Sequence, residues 1–357
     1  LSASPRPINL TGMNAPAPTA SLPSLTFEGG AVGFLGLGVM GRSLAGHLLR
    51  AGYPLIVHTR TPAKAKELLA AGAVWAADPA ELAARTRLVF TMVGFPADVE
   101  AIYLKPQGLL AHAAPGALLV DLTTSSPALA RRIAATAAAR GVDTLDAPVT
   151  GGDIGAREAR LSLMVGGTAA AFARAEPVLR LFGPTVVLHG PAGSGQHAKL
   201  CNQLMIAGTM MGLCEALAYA HAAGLDAQNV LRSTGGGAAG SWSLHHLAPR
   251  ILQGDFAPGF YVKHFLKDLA IALVEARALG LDLPGLALAE KLYRRLADTG
   301  YADLGTQALW KAYEQKTRAP ARPAKRRVVQ KKKPPAPTRK AGGEMKSGKR
   351  KSAPRKN

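Results

Sequence analysis

The sequence has 357 residues, nearly half of them apolar, enough for two domains with cores of their own. Its net charge of +20 averages unlike parts: residues 316–357 carry 17 Lys/Arg against one acid, Glu344, while the rest carries 26 basic and 22 acidic side chains. Two cysteines and no C-x-x-C exclude a disulfide framework and a cysteine-based metal site, and no charge-free apolar run reaches the roughly 18 residues of a membrane span.

Residues 1–29 are rich in Pro, Ser, Thr and Ala, and read as a disordered leader or the end of a transit peptide. Ala31–Leu35 then reads as a buried strand, and a helix follows to about Ala51. Between them Gly36, Gly38 and Gly41 form G-x-G-x-x-G. In that spacing the first glycine allows a tight turn, the second lets the backbone approach a pyrophosphate, and the third lets helix and strand pack closely. Free N–H groups at the helix N-terminus would face the phosphates. A glycine-rich turn without a ligand has the same letters; the strand before and the helix after favour the dinucleotide reading.

Tyr53–His58 reads as a second parallel strand. About twenty residues past the glycines, an Asp or Glu usually marks an NAD ribose. This chain has His58-Thr59-Arg60-Thr61 instead. Arg60 and Thr61, with Lys64 nearby, suit a 2′-phosphate; a solvated loop arginine is the plain alternative. NADP(H) is therefore expected over NAD(H).

A helix over Pro62–Ala71, a strand near Val74 and a helix over Pro79–Arg85 follow. Leu88–Val93 is a buried strand that ends at Gly94-Phe95-Pro96. Ala117–Leu122 is another, ending in Thr123-Thr124-Ser125-Ser126-Pro127. Such hydroxyls cap a helix or bind an anion. Val142–Asp146 runs into Ala147-Pro148-Val149-Thr150-Gly151-Gly152. The alternation predicts a parallel α/β sheet with helices on both faces. Leu161–Val165 and Thr185–Leu188 add strands, and Gly190–Gly195 reads as a hinge.

Beyond the hinge the pattern turns helical. His197–Ala223 is one long helix whose only charge before Glu215 is Lys199. Asn202 and Gln203 stand at i+3 and i+4 from it. A desolvated lysine beside an amide suits proton transfer; a lysine that snorkels out of the first turn fits the spacing equally. Further helices are expected around 226–233, 241–253 and 263–280, with one or two more between 284 and 315. Lys267-Asp268 reads either as a surface ion pair or as the far wall of a site.

Together these motifs resemble the β-hydroxyacid dehydrogenase family, which includes 3-hydroxyisobutyrate dehydrogenases and glyoxylate, succinic-semialdehyde and tartronate-semialdehyde reductases. The resemblance rests on Gly33–Gly41, Asp121–Thr124, Asp146–Gly152, Gly195–Gln203 and Lys267–Leu269, covers about residues 31–315, and is strongest to plant-type members. It implies an N-terminal Rossmann NAD(P)-binding domain (30–193), a long interdomain helix and an all-helical domain (194–315). It implies Lys199 as the catalytic acid/base, with Thr123, Gly151, Gly152 and Asn202 or Gln203 on the substrate. Gly36, Leu37, Gly38, Val39, Met40, Arg60, Thr61, Val93, Gly94, Asp98 and Thr124 would surround the cofactor, and Lys267 would close the site. The expected substrate is a small 3-hydroxy acid or semialdehyde, and the expected assembly a homodimer or homotetramer using no metal and no membrane. Three departures stand out: Thr123 for the usual Ser, Gly94 for Pro, and Ala159 for a Gly. If that position needs a positive φ, Ala159 is strained.

The basic tail, 316–357, is expected to be disordered. It reads as a solvated tail, as a polyanion or nucleic-acid binder acting through phosphates, or as a nuclear-localisation signal. It keeps open a second function, a non-catalytic protein associated with nucleic acid or chromatin. Localisation divides among an organelle such as the mitochondrion, the cytoplasm and the nucleus.

Overall fold

The structure, a computed structural model, describes residues 30–317. β1 (Val32–Leu35) is wholly buried, as a central strand covered on both faces must be. It is followed by α1 (Val39–Arg50), β2 (Leu55–His58), α2 (Lys66–Ala70), β3 (Val74–Trp75), α3 (Pro79–Arg85) and β4 (Leu88–Thr91). Next come α4 (Pro96–Leu104), α5 (Leu109–His112), β5 (Leu118–Asp121), α6 (Pro127–Ala138) and β6 (Asp143–Asp146). Helices α3 and α6 start on one device: Asp78 and Ser126 each accept a backbone N–H three residues on, and a proline occupies the first turn.

These six strands are parallel, in the order β3-β2-β1-β4-β5-β6. Strand order reverses between β1 and β4, and the crevice outside the carboxyl ends at that point is where such sheets take ligands. The register sets Leu35, Thr91, Asp121 and Asp146 in one row across the sheet. The loops after them therefore emerge side by side. One core, around Phe34, Phe90, Leu118 and Phe182, lies on one face, and another, around Leu82, Tyr103, Leu119 and Ile133, on the other.

Past β6 the sheet is mixed. β7 (Val149–Thr150), a pair too short to show a period, and β6 both run antiparallel to β8 (Ser162–Gly166). β9 (Thr185–Gly190) is parallel to β8. α7 (Gly152–Arg157) and α8 (Ala169–Leu179) fill the intervals.

The long helix α9 spans Ser194–Ala222 and so starts three residues before the expected His197. The expected hinge is corrected here. Gly190 ends β9 and Gly195 lies inside α9; a Cβ on Gly195 would stand 2.4 Å from both Asp146 O and Met164 O. Glycine is needed there for close packing, not for freedom. α9 is long and apolar enough to cross a membrane by length and composition, but Met210, Leu213, Cys214 and Leu217 are buried in a helical core.

The remaining helices are α10 (Ala227–Thr234), α11 (Trp242–His246), α12 (Ala248–Leu252), α13 (Val262–Ala278), α14 (Pro284–Leu296) and α15 (Lys311–Thr317), and all but α11 add side chains to that core. The single helix expected over 241–253 is two, because Pro249 starts a new first turn. At the centre Phe265 meets Tyr293 edge-on at 4.9 Å, and Tyr293 OH donates to Thr306 O at 2.9 Å. The leader and the tail from 318 onward lie outside the described residues.

Candidate active site

The glycine loop comes first along the crevice. Gly36 has φ +97, and a Cβ there would stand 2.2 Å from Met92 O. A Cβ on Gly41 would stand 2.0 Å from Gly36 O, so both positions are closed to any other residue. Gly38 differs: it is exposed, with nothing within 4 Å of its Cβ position. It is the N-cap of α1, which has no side-chain cap and no acid in its first turn. An open backbone at an uncapped helix N-terminus fits a dinucleotide's pyrophosphate. Leu37 is buried in the core and can offer only backbone, Met40 is half-buried, and Val39 is exposed.

At the end of β2, His58 Nδ1 bonds to Ala76 O at 3.0 Å and its ring lies 5.4 Å from that of Trp75. Arg60 is four-fifths exposed and reaches Asp98 at 3.0 Å, joining this corner to the start of α4. Thr61 is exposed and makes no cap bond. Gly94 lies between Asp98 and His264: its Cβ position is 3.5 Å from Asp98 Oδ2 and 3.6 Å from His264 Cε1.

The next loop begins at Asp121, where Thr91 Oγ1 and Thr123 N both donate to Oδ1 at 3.0 Å. Burial pushes this carboxyl up to about 6 despite those bonds. Thr123 is buried, and its Oγ1 accepts from Val93 N at 3.0 Å. Thr124 O accepts from Lys267 Nζ, which arrives from α13. Gly151 (φ +129) and Gly152 (φ +65) lie at the start of α7, on the rim of the same row of loops.

Lys199 does not snorkel; it is 6% exposed. Burial pushes its ammonium down to about 8, against the upward pull of the Asp268 charge and with a smaller downward push from Lys267. Asn202 Nδ2 donates to Gln203 Oε1 at 2.7 Å, and Gln203 Nε2 donates to Asp268 Oδ2 at 2.6 Å. Lys267 Nζ lies 2.8 Å from Asp268 Oδ1 with both side chains largely buried, so the pair is an inner wall and not a surface bridge. The contact is Coulombic only, since Oδ1 accepts no directed hydrogen bond. The expected residues thus fall into linked groups: Arg60 with Asp98, Val93 with Thr123, Thr124 with Lys267, and Lys199, Asn202, Gln203 and Lys267 around Asp268. From the sequence Asp268 was only half of the Lys267-Asp268 pair, with no role of its own. Its signal was its place next to Lys267 at the start of an apolar helical run.

Residues 31–190 match the family model described as the NAD-binding domain of 6-phosphogluconate dehydrogenase. Residues 193–313 match the model described as NAD-binding of NADP-dependent 3-hydroxyisobutyrate dehydrogenase. A probable 3-hydroxyisobutyrate dehydrogenase-like protein 1, mitochondrial, of Arabidopsis thaliana is 49% identical over 284 residues, covering 79% of this chain and 85% of that protein. The chain belongs to the 3-hydroxyisobutyrate dehydrogenase family. As a member it is an NAD(P)-dependent oxidoreductase of the hydroxyacid dehydrogenase class. An uncharacterized oxidoreductase, YkwC, of Bacillus subtilis is 51% identical over 282 residues, covering 79% of this chain and 98% of its own. The solved 3-hydroxyisobutyrate dehydrogenase of Mycobacterium tuberculosis with L-serine superposes with a TM-score of 0.74 at 32% identity, over 79% of this chain and 98% of that one.

Proposed function

We propose that the protein interconverts a small 3-hydroxy acid and its semialdehyde, with Lys199 as acid/base and NADP(H) as the preferred cofactor. The observation that carries this reading is a nearly buried lysine whose ammonium is held near 8, poised to give or take a proton close to neutrality. When bound, a nicotinamide supplies or accepts the hydride. Gly36, Gly38 and the first turn of α1 would hold its pyrophosphate, Arg60 and Thr61 a 2′-phosphate, and Val93, Gly94, Asp98 and Thr124 the groups between.

The substrate carboxylate would sit on the Thr123 hydroxyl and the backbone N–H groups at Gly151 and Gly152. Asn202 would reach the oxygen that changes between hydroxyl and carbonyl. In reduction Lys199 gives a proton from Nζ to that oxygen; in oxidation neutral Lys199 takes it back. The Asp268 carboxyl group, held between Gln203 and Lys267, works against the desolvation of the Lys199 ammonium, which is charged below about pH 8. Exposed Met205, Tyr219 and Trp242 on the helical layer support self-association as a dimer or tetramer.

The test is turnover by the purified chain. NADPH and NADH are each offered with methylmalonate, tartronate and succinic semialdehydes and with glyoxylate, and loss of reduced-nicotinamide absorbance is followed. Turnover of at least one with NADPH is expected. Intact NADPH binding with no turnover of any of them overturns the reading.

A further inference from the structure

Gln196 is completely buried, and the dehydrogenase reading gives it no task. A buried amide is costly unless its donor and acceptor are both used. Here both are spent on one short loop. Oε1 accepts from Ser125 N at 2.8 Å, and Nε2 donates to Thr123 O at 2.8 Å. The side chain thus grips the backbone on both sides of Thr124, as a neighbouring strand would. A Leu or Met would fill the same volume without those bonds.

Gln196 stands one turn before Lys199 on the same face of α9, with Gln203 a turn further on; all three are buried. That first turn is itself anchored. Asp146 Oδ1 accepts from Gly193 N at 2.7 Å and Oδ2 from Gln196 N at 2.8 Å. Asp146 also ends β6 and opens the loop to Gly151 and Gly152. Two side chains therefore join the three stretches the reaction needs: the Thr123–Ser125 loop, the loop to Gly151 and Gly152, and the helix carrying Lys199.

We propose that Gln196 is a positioning residue that sets the distance between the carboxylate-binding Thr123 loop and the Lys199 ammonium. The proposal rests on the dehydrogenase reading. A proton donor misplaced by about an ångström costs roughly 10²-fold in rate, so the amide acts chiefly on turnover: of the groups placed on the cofactor only Thr124 lies on the gripped loop, and neither the Gly36–Gly41 turn nor Arg60 is bonded to Gln196.

The test uses the full chain with Gln196→Met, which keeps the volume, and Gln196→Glu. For Gln196→Met, kcat is expected to fall roughly 10- to 100-fold, with the NADPH Kd within about twofold and faster hydrogen exchange at the Ser125 amide. A protonated carboxyl offers one O–H donor and one carbonyl acceptor, enough for the two bonds the amide makes here. Gln196→Glu should therefore recover relative to wild type as pH falls between about 8 and 5. Asp146, Asp121 and Lys199 titrate nearby in both proteins, so the ratio of the two isolates the new group. Wild-type kcat in Gln196→Met, or a ratio flat with pH in Gln196→Glu, overturns the positioning role. If Gln196→Met does not fold, the Gln196→Glu ratio decides alone. A wild-type chain inert to every substrate offered overturns the dehydrogenase reading and this role with it; an active wild type with indifferent variants overturns this role alone.

Discussion

Asp268 accepts a hydrogen bond from Gln203 Nε2 at 2.6 Å, and this bond ties α13 to the helix that carries Lys199. It fixes a buried anion whose charge works against the desolvation of the Lys199 ammonium. The lysine is left at about 8, neither fully charged nor neutral near physiological pH.

The pH dependence follows. In reduction the ammonium is the active form, so kcat/KM should be flat below about pH 8 and fall tenfold per unit above it. In oxidation the amine is active, and the profile should rise to a plateau at the same pH. Lys199→Ala should lose roughly 10²–10⁴ in kcat/KM. The folded value lies below the ordinary 10.5, so the unfolded chain holds the extra proton between about 8 and 10.5. Stability from this group therefore rises with pH across that window, and at neutral pH the charge is a cost. Lys199→Met should lose activity to the same degree yet be more stable, by up to about 3 kcal/mol at pH 7. Urea denaturation of both proteins at pH 7 and 10 checks the sign.

The glycines separate folding from binding. Gly41→Ala drives a Cβ to 2.0 Å from Gly36 O, and the melting temperature should fall by about 10 °C or more. Gly38→Ala meets nothing within 4 Å, so its melting temperature should match wild type while NADPH affinity falls at least roughly tenfold. Calorimetry with and without cofactor distinguishes the two.

Arg60 is the test of cofactor choice. Charge-assisted hydrogen bonds are worth about 1.5–3 kcal/mol, so Arg60→Ala should weaken NADPH roughly 10- to 100-fold and leave NADH within about threefold. The exposed pair with Asp98 contributes little to stability, and the melting temperature should not move. Equal losses for both cofactors would remove the 2′-phosphate role.

Ala159 has φ +54, the one described non-glycine residue with a positive φ. The strain expected from the sequence at this turn is therefore present. Ala159→Gly should stabilise the protein by about 0.5–1 kcal/mol, since the relief exceeds the extra freedom of the unfolded chain. Thermal melts of the pair measure it.

The sequence announced β1, β2, β4 and β5 because each is a short apolar run between turn residues, and α9 because almost nothing in it is charged. It did not announce β7, whose two residues carry no period, or the reversed direction of β8, which depends on pairing with distant β6. Gly195 looked like freedom; only the carbonyls of Asp146 and Met164 beside it reveal a packing demand. Local features were legible, namely the glycine turn and the isolation of Lys199 in an uncharged stretch of helix; the burial of Lys199, which the spacing left open, was not. Asp268 and Gln196 act across 65 and more residues of chain, and their neighbours there cannot be read from adjacent letters.

The start of α9 has a consequence for recombining members of this family. The short joint before Ser194 invites a cut, yet Asp146 and the Thr123–Ser125 loop are both satisfied by groups at or just beyond that joint. An N-terminal half transplanted without them would carry a buried carboxylate and two backbone groups into foreign surroundings. The workable crossover lies beyond Gln203, so that each nucleotide-binding half travels with its own first turns of helix, and Lys199 is inherited with the sheet.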